Sequence, residues 1–178
     1  MKNYHRIITF VPLFVFLISA SCKKEKLTKE TQIGADTFSC KINGVVHIPN
    51  NEAFSVKAIS TSLYLNGNPN YFDLSILTNY SREKPSEKIY ITLYKIKQEQ
   101  VYTLNSTEFK YGTYILGIAN GLGGITYNSK AFNKGEVNIT KLDLANKIIS
   151  GTFWFEATNE NDPNDKVSVT EGRFDLKI

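Results

Sequence analysis

Histidine, cysteine, methionine and tryptophan are nearly missing from this 178-residue chain, which has two His, two Cys, one Met and one Trp. Nucleophilic hydrolysis near neutral pH wants a base that can hold a proton there, usually histidine. One of the two, His5, falls in an N-terminal stretch that reads as a removable leader. The other, His47, is expected to face solvent, because Val46 and Ile48 look like the core pair of its strand. One histidine and one cysteine cannot assemble a zinc site. No HExxH, phosphate-loop or GxSxG pattern occurs. Charge of either sign is also thin: 21 Lys and Arg stand against 17 Asp and Glu. That balance gives no case for nucleic acid, which calls for clustered cations. The longest apolar run, Ile7 to Ile18, is interrupted by Thr9 and Pro12 and falls short of the about 20 residues a membrane-spanning helix needs. These shortages point away from an enzyme, a bound metal or a cofactor.

The apolar run instead belongs to a tripartite leader. Lys2, His5 and Arg6 precede it, and Ser19, Ala20 and Ser21 lead into Cys22. That layout resembles a bacterial lipoprotein, cut before Cys22 and held to a membrane by acyl chains on that thiol. Removing residues 1–21 takes away Lys2 and Arg6, leaves 157 residues and lowers the net charge from +4 to +2. This is one domain's worth of chain. Lys23, Lys24 and Lys26 then read as a solvated tether near anionic headgroups. With Cys22 acylated, Cys40 has no partner for an intramolecular disulfide and reads as a small buried hydrophobe. The expected organisation is a signal peptide over 1–21, a lipidated cysteine with a flexible stalk over 22–36, and a single all-β domain over 37–178.

From Thr37 onward the pattern has period two, in short runs rich in Val, Ile, Thr, Tyr and Phe. Phe38, Cys40 and Ile42 share a face, and Asn43-Gly44 signals a two-residue hairpin turn. Phe54, Val56 and Ala58 alternate, and Asn66–Asn70 is a strong turn. Phe72, Leu74 and Ile76 define one strand and Ile89, Ile91 and Leu93 another. Val137 and Ile139 precede a turn at Asp143–Asn146, after which Ile149, Phe153 and Phe155 line one face. In the last run Val167 and Val169 occupy odd positions, whereas Phe174, Leu176 and Ile178 occupy even ones. One strand cannot bury both sets on one face without an extra residue, which predicts a bulge near Glu171-Gly172. No 3.6 periodicity of helical length appears outside the leader. About ten short strands at this spacing predict an antiparallel β-sandwich, with a β-barrel as the alternative.

Few side chains suggest a site. Gly121-Leu122-Gly123-Gly124 has strand-like flanks, so a turn or bulge is expected there rather than a phosphate cradle. Asn159, Asn161, Asp162 and Asp165 place four side-chain oxygens in the loop 159–165. Calcium takes six to eight, and EF-hand spacing is lacking, so a solvated hairpin loop is expected, with calcium left open. The aromatics on polar faces are the best remaining signal. Trp154 alternates with Phe153 and Phe155 and must point away from the core, and Tyr64, Tyr71, Tyr90 and Tyr94 likewise oppose aliphatic positions. Exposed aromatic platforms stack on sugars and anchor interfaces, although cross-strand aromatic pairing would explain the same pattern. Trp154, flanked by Tyr90 or Tyr94, is the candidate ligand-binding set.

Gly34–Gly44, Gly135–Asp143, Ser150–Phe155 and Thr170–Asp175 together resemble segments of a group of Bacteroidetes lipoproteins built on a domain of unknown function. The resemblance implies a lipid-anchored all-β domain in the outer membrane and no particular activity. It also implies that an acidic residue is common where Trp154 stands, and that acids just after the lipidated cysteine mark surface display. Lys23-Lys24-Glu25-Lys26 fits that mark only in part, so surface and periplasmic display both stay open. Three functions follow as expectations. The first is a non-catalytic module that binds a glycan or a protein. The second is a carboxylate-dependent enzyme acting on envelope polysaccharide, needing two acids in one cleft. The third is a carrier of a small apolar ligand, needing an empty barrel.

Overall fold

Asn43 and Gly44 both adopt left-handed backbone, with φ of 48° and 82°, and close the hairpin between β1 (Thr37–Ile42) and β2 (Val45–His47). The twist of a two-residue turn in that conformation matches the twist of the strands it joins. The computed structural model describes residues 26–50, 57–65, 71–80, 86–104, 108–117, 123–129 and 134–178. The leader with Cys22, the run at Phe54 and Val56, the Asn66–Asn70 turn and Gly121-Leu122 lie outside the described residues. Nine further strands follow: β3 (Ile59–Leu65), β4 (Phe72–Tyr80), β5 (Glu87–Ile96), β6 (Val101–Thr103), β7 (Tyr111–Gly117), β8 (Gly124–Asn128), β9 (Gly135–Asp143), β10 (Ile148–Asn159) and β11 (Asp162–Lys177). No helix longer than a turn occurs among the described residues, and every strand pair is antiparallel.

One hydrogen-bonded network holds all eleven strands, yet it folds into two layers at β10. Over Ile148–Phe155 that strand pairs with β9, and at Thr158 and Asn159 it pairs with β8 instead. One layer therefore runs β2-β1-β11-β10-β9-β6 and the other β8-β7-β5-β4-β3. Contacts between strands far apart in this order show the closure. His47 on β2 meets Glu87 on β5, Nδ1 to Oε2 at 3.1 Å. The Phe155 ring on β10 lies so close to β7 that a Cβ on Gly112 would sit 2.5 Å from it, so only glycine fits there. The resulting all-β sandwich agrees with the period-two reading.

Phe38, Phe153, Phe155 and Phe174 stack through the interior with centroid separations of 5.1–6.4 Å. Ile42, Leu74, Ile89, Ile91, Val137 and Ile139 are buried around them, while Phe72 is half-buried at the margin. Each large apolar side chain so placed contributes about 1.5–3 kcal/mol. The bulge in β11 sits where the parity break predicts it. Phe153 faces Gly172, but Phe155 faces Val169, so β11 carries an extra residue, with Glu171 at φ 50°. Val167, Val169, Phe174 and Leu176 are all buried as a result.

Two expectations need correction. His47 is 3 % exposed and does not face solvent. It pairs in register with Cys40, and directly paired residues share a face, so the buried Cys40 carries His47 inward. The stalk expected over 22–36 is not free from Thr28 onward. Thr28 bonds Ser39 and accepts from Arg173 Nη1 at 3.0 Å. Asp175, 1 % exposed, accepts from the Thr31 hydroxyl, the backbone N–H groups of Ile33, Gly34 and Ala35, and Ser150. Residues 28–35 are thus a strap docked on β11.

Candidate functional site

The outward side chains of β11, β10, β9 and β6 form two rows set by register. Trp154 pairs with Glu136, which pairs with Thr103, and Thr152 pairs with Asn138, which pairs with Val101. The bulge at Glu171 borders the first row and Arg173, paired with Thr152, extends the second. Between them lies an open groove of about 580 Å³. Trp154 is 40 % exposed at its edge, with its indole N–H aimed at Glu136 Oε2 over a long 3.4 Å. Glu30 of the strap closes the other wall and stands 3.6 Å from Arg173. Arg173 Nε is buried and has no hydrogen-bond partner among the described residues. Glu171 is ion-paired with Lys41. The groove thus joins an exposed indole to hydroxyl, amide, carboxylate and guanidinium groups, which suits stacking plus directional hydrogen bonding.

Tyr90 and Tyr94 do not flank Trp154. They lie on β5, in the other layer, whose outer face points the opposite way, and no tyrosine lines the Trp154 groove among the described residues. Tyr90 stands between Leu77 and Thr113 in neighbouring strands. Tyr94 packs on Phe109 at 5.7 Å, and the Tyr64 hydroxyl beside it, followed by burial, pushes its phenol above the ordinary value. Glu30, Val101, Glu136, Asn138, Thr170 and Arg173 are groove residues that the sequence did not mark as part of a site.

Between the layers lies a second polar group: Cys40, His47, Glu87 and Tyr114. Glu87 receives the Tyr114 hydroxyl at 2.9 Å and faces His47. Burial first, and then the Glu87 charge, push both the Cys40 thiol and the Tyr114 phenol upward. Cys40 therefore stays a thiol at neutral pH, not the thiolate a nucleophile needs.

In the loop 159–165 the oxygens hold the turn. Asp165 Oδ2 accepts from Asn159 at 2.9 Å and from the Tyr127 hydroxyl at 2.8 Å, while Asn159 and Asp162 accept from the backbone of Asn161 and Asn164. No trio of His, Cys, Asp or Glu side chains comes within reach of a shared metal ion among the described residues.

A family model for a domain of unknown function, DUF6252, matches residues 50–175. That span exceeds two thirds of the chain. The chain belongs to the DUF6252 family. No curated protein and no solved structure matches it. The DUF6252 match takes in β3 to Asp175 of β11, so Trp154, Glu136 and Arg173 lie within the family domain, whereas the strap, β1 and β2 precede it.

Proposed function

We propose that this DUF6252 chain is a lipid-anchored module of the cell envelope that binds a glycan without catalysis. The observation that supports it most is the half-exposed Trp154 at the edge of an open groove walled by polar side chains. A sugar ring stacks on such an indole while its hydroxyls meet Thr152, Asn138, Glu136 and Arg173. Isothermal titration against a panel of oligosaccharides tests the reading, with Trp154→Ala as the control. Binding of a sugar that the variant loses supports it. Co-purification of a protein at the same face, with no sugar bound, would replace glycan by protein as the partner.

The tether rests on the sequence: a cationic start, a short apolar run and small residues before Cys22. Several acyl chains give firm attachment where one is marginal. Cys22→Ala should leave an uncut precursor that takes up no labelled palmitate, and normal processing of that variant would remove the anchor from the proposal.

A second reading, polysaccharide hydrolysis, draws on Glu136 and Glu171, which stand on the strands either side of Trp154. Release of reducing ends that Glu136→Gln abolishes would favour it.

A further inference from the structure

The Trp154 groove does not stop at β6. Val101, 53 % exposed on that edge strand, lines it on one side and on the other lines a second groove of about 590 Å³. This second groove lies where the chain crosses from β5 in one layer to β6 in the other, and among the described residues its walls carry Lys95, Lys97 and Lys110 against the single acid Glu108. Glu108 is taken up by Lys110. Neither Lys95 nor Lys97 makes an ion pair among the described residues.

The backbone that bears Lys95 and Lys97 is held in place. Phe72 faces Ile96 but Leu74 faces Leu93, so β5 carries one residue more than β4, and Lys95 adopts φ 57° in that bulge. Its N–H is fixed by Asp73 Oδ1 at 2.9 Å. With Leu93 and Ile96 both buried, the bulge turns Lys95 outward, and a bulge commonly serves to re-aim a side chain in this way. Left-handed backbone at a non-glycine residue is strained and persists only where its surroundings enforce it. Lys97 lies 4.6 Å from the centroid of the Tyr71 ring. The turn that bears it is pinned by the Tyr102 hydroxyl, which accepts from Lys97 and Gln98 N–H and donates to the Gln98 carbonyl at 2.8 Å.

We propose that the two grooves form one extended cleft for an acidic polysaccharide, with one sugar ring on Trp154 and a carboxylate or sulfate of a neighbouring unit on Lys95 and Lys97. This rests on the glycan reading of the Trp154 groove and adds the ligand's charge and direction. At the tryptophan end Glu171 is ion-paired with Lys41 and Glu30 lies 3.6 Å from Arg173, which leaves Glu136 to repel an anion there, so the charged group lies beyond Val101. A nucleic acid, with a phosphate on every unit, meets Glu136 unfavourably.

The test uses the full-length protein in detergent micelles, titrated with alginate, polygalacturonate, chondroitin sulfate, hydroxyethylcellulose and oligo-dT. Binding is expected to at least one of the three anionic glycans, weaker at high salt, as screened charges require. It should fall tenfold or more both in Trp154→Ala and in Lys95→Gln/Lys97→Gln, with the salt dependence flattened only in the lysine variant. Circular dichroism checks that each variant is folded, and Lys97→Gln alone serves if the bulge position proves sensitive. Binding lost in Trp154→Ala but unchanged in the lysine variants would end the cleft at Val101 and leave the glycan reading standing. Preference for the neutral polymer, or oligo-dT bound through the same lysines, would overturn the proposal. Failure to bind any polymer would overturn it together with the glycan reading.

Discussion

Phe153 and Phe155 take the interior side of β10, and strand alternation leaves Trp154 outside. Its exposure was legible from those three letters. Replacing it with Ala should therefore cost less than about 1 kcal/mol of stability, as exposed positions do, and about 1–3 kcal/mol of ligand affinity, as stacked anchors do. Urea unfolding and calorimetric titration measure the two, and a large loss of stability would show that the indole packs. Its partner Glu136 was nearly legible too. The turn read at Asp143–Asn146 puts Trp154 opposite Gly135, whereas the turn falls one residue later, with Ile148 facing Asp143, and the register shift at Ser150/Gly151 then sets Trp154 on Glu136. His47 misled because β2 has only three residues, too few for alternation to outweigh its pairing with buried Cys40. Cys40 itself matched its expected burial. A bulky maleimide should label the native protein only as fast as it unfolds, and rapid labelling would contradict a buried thiol.

At the scale of elements, bulges were readable and the strap was not. The odd-to-even change between Val169 and Phe174 located the bulge at Glu171, whereas the same break between Leu93 and Ile96, which marks the bulge at Lys95, went unread. Both border the cleft. The strap was invisible because its acceptor, Asp175, lies about 140 residues along the chain from Thr31–Ala35, and polar sequence beside an anchor looks the same docked or free. Asp175→Asn puts an amide donor among five donors. It should cost about 3 kcal/mol, since hydrogen bonds to a buried charge are the strong ones. Mild proteinase K should trim the native chain no further than the start of the strap and run on towards Asp36 in the variant. An unchanged digestion pattern would mean that the strap is held without Asp175.

Over the whole molecule, the sequence left sandwich and barrel open because closure depends on contacts between layers, such as His47 with Glu87 and Phe155 over Gly112, that no local pattern encodes. The same long-range character makes one carboxylate matter to global stability. Burial pushes the Asp175 carboxyl up, but the hydrogen bonds from Thr31, Ser150, Ile33 and Gly34 outweigh it and hold the group down to about 2, against an ordinary 3.8. The folded state thus holds this proton less tightly than the unfolded chain does. Its stabilising effect is complete above about pH 5 and is lost as the pH falls through 4 towards 2. Urea midpoints measured from pH 7 down to 2 should fall steeply across that lower window in the native chain. In Asp175→Asn the starting midpoint should be lower and the acid slope shallower, so that the two curves converge near pH 2. Parallel curves would show that other carboxylates carry the acid response and that the Asp175 cluster does not couple the strap to the fold.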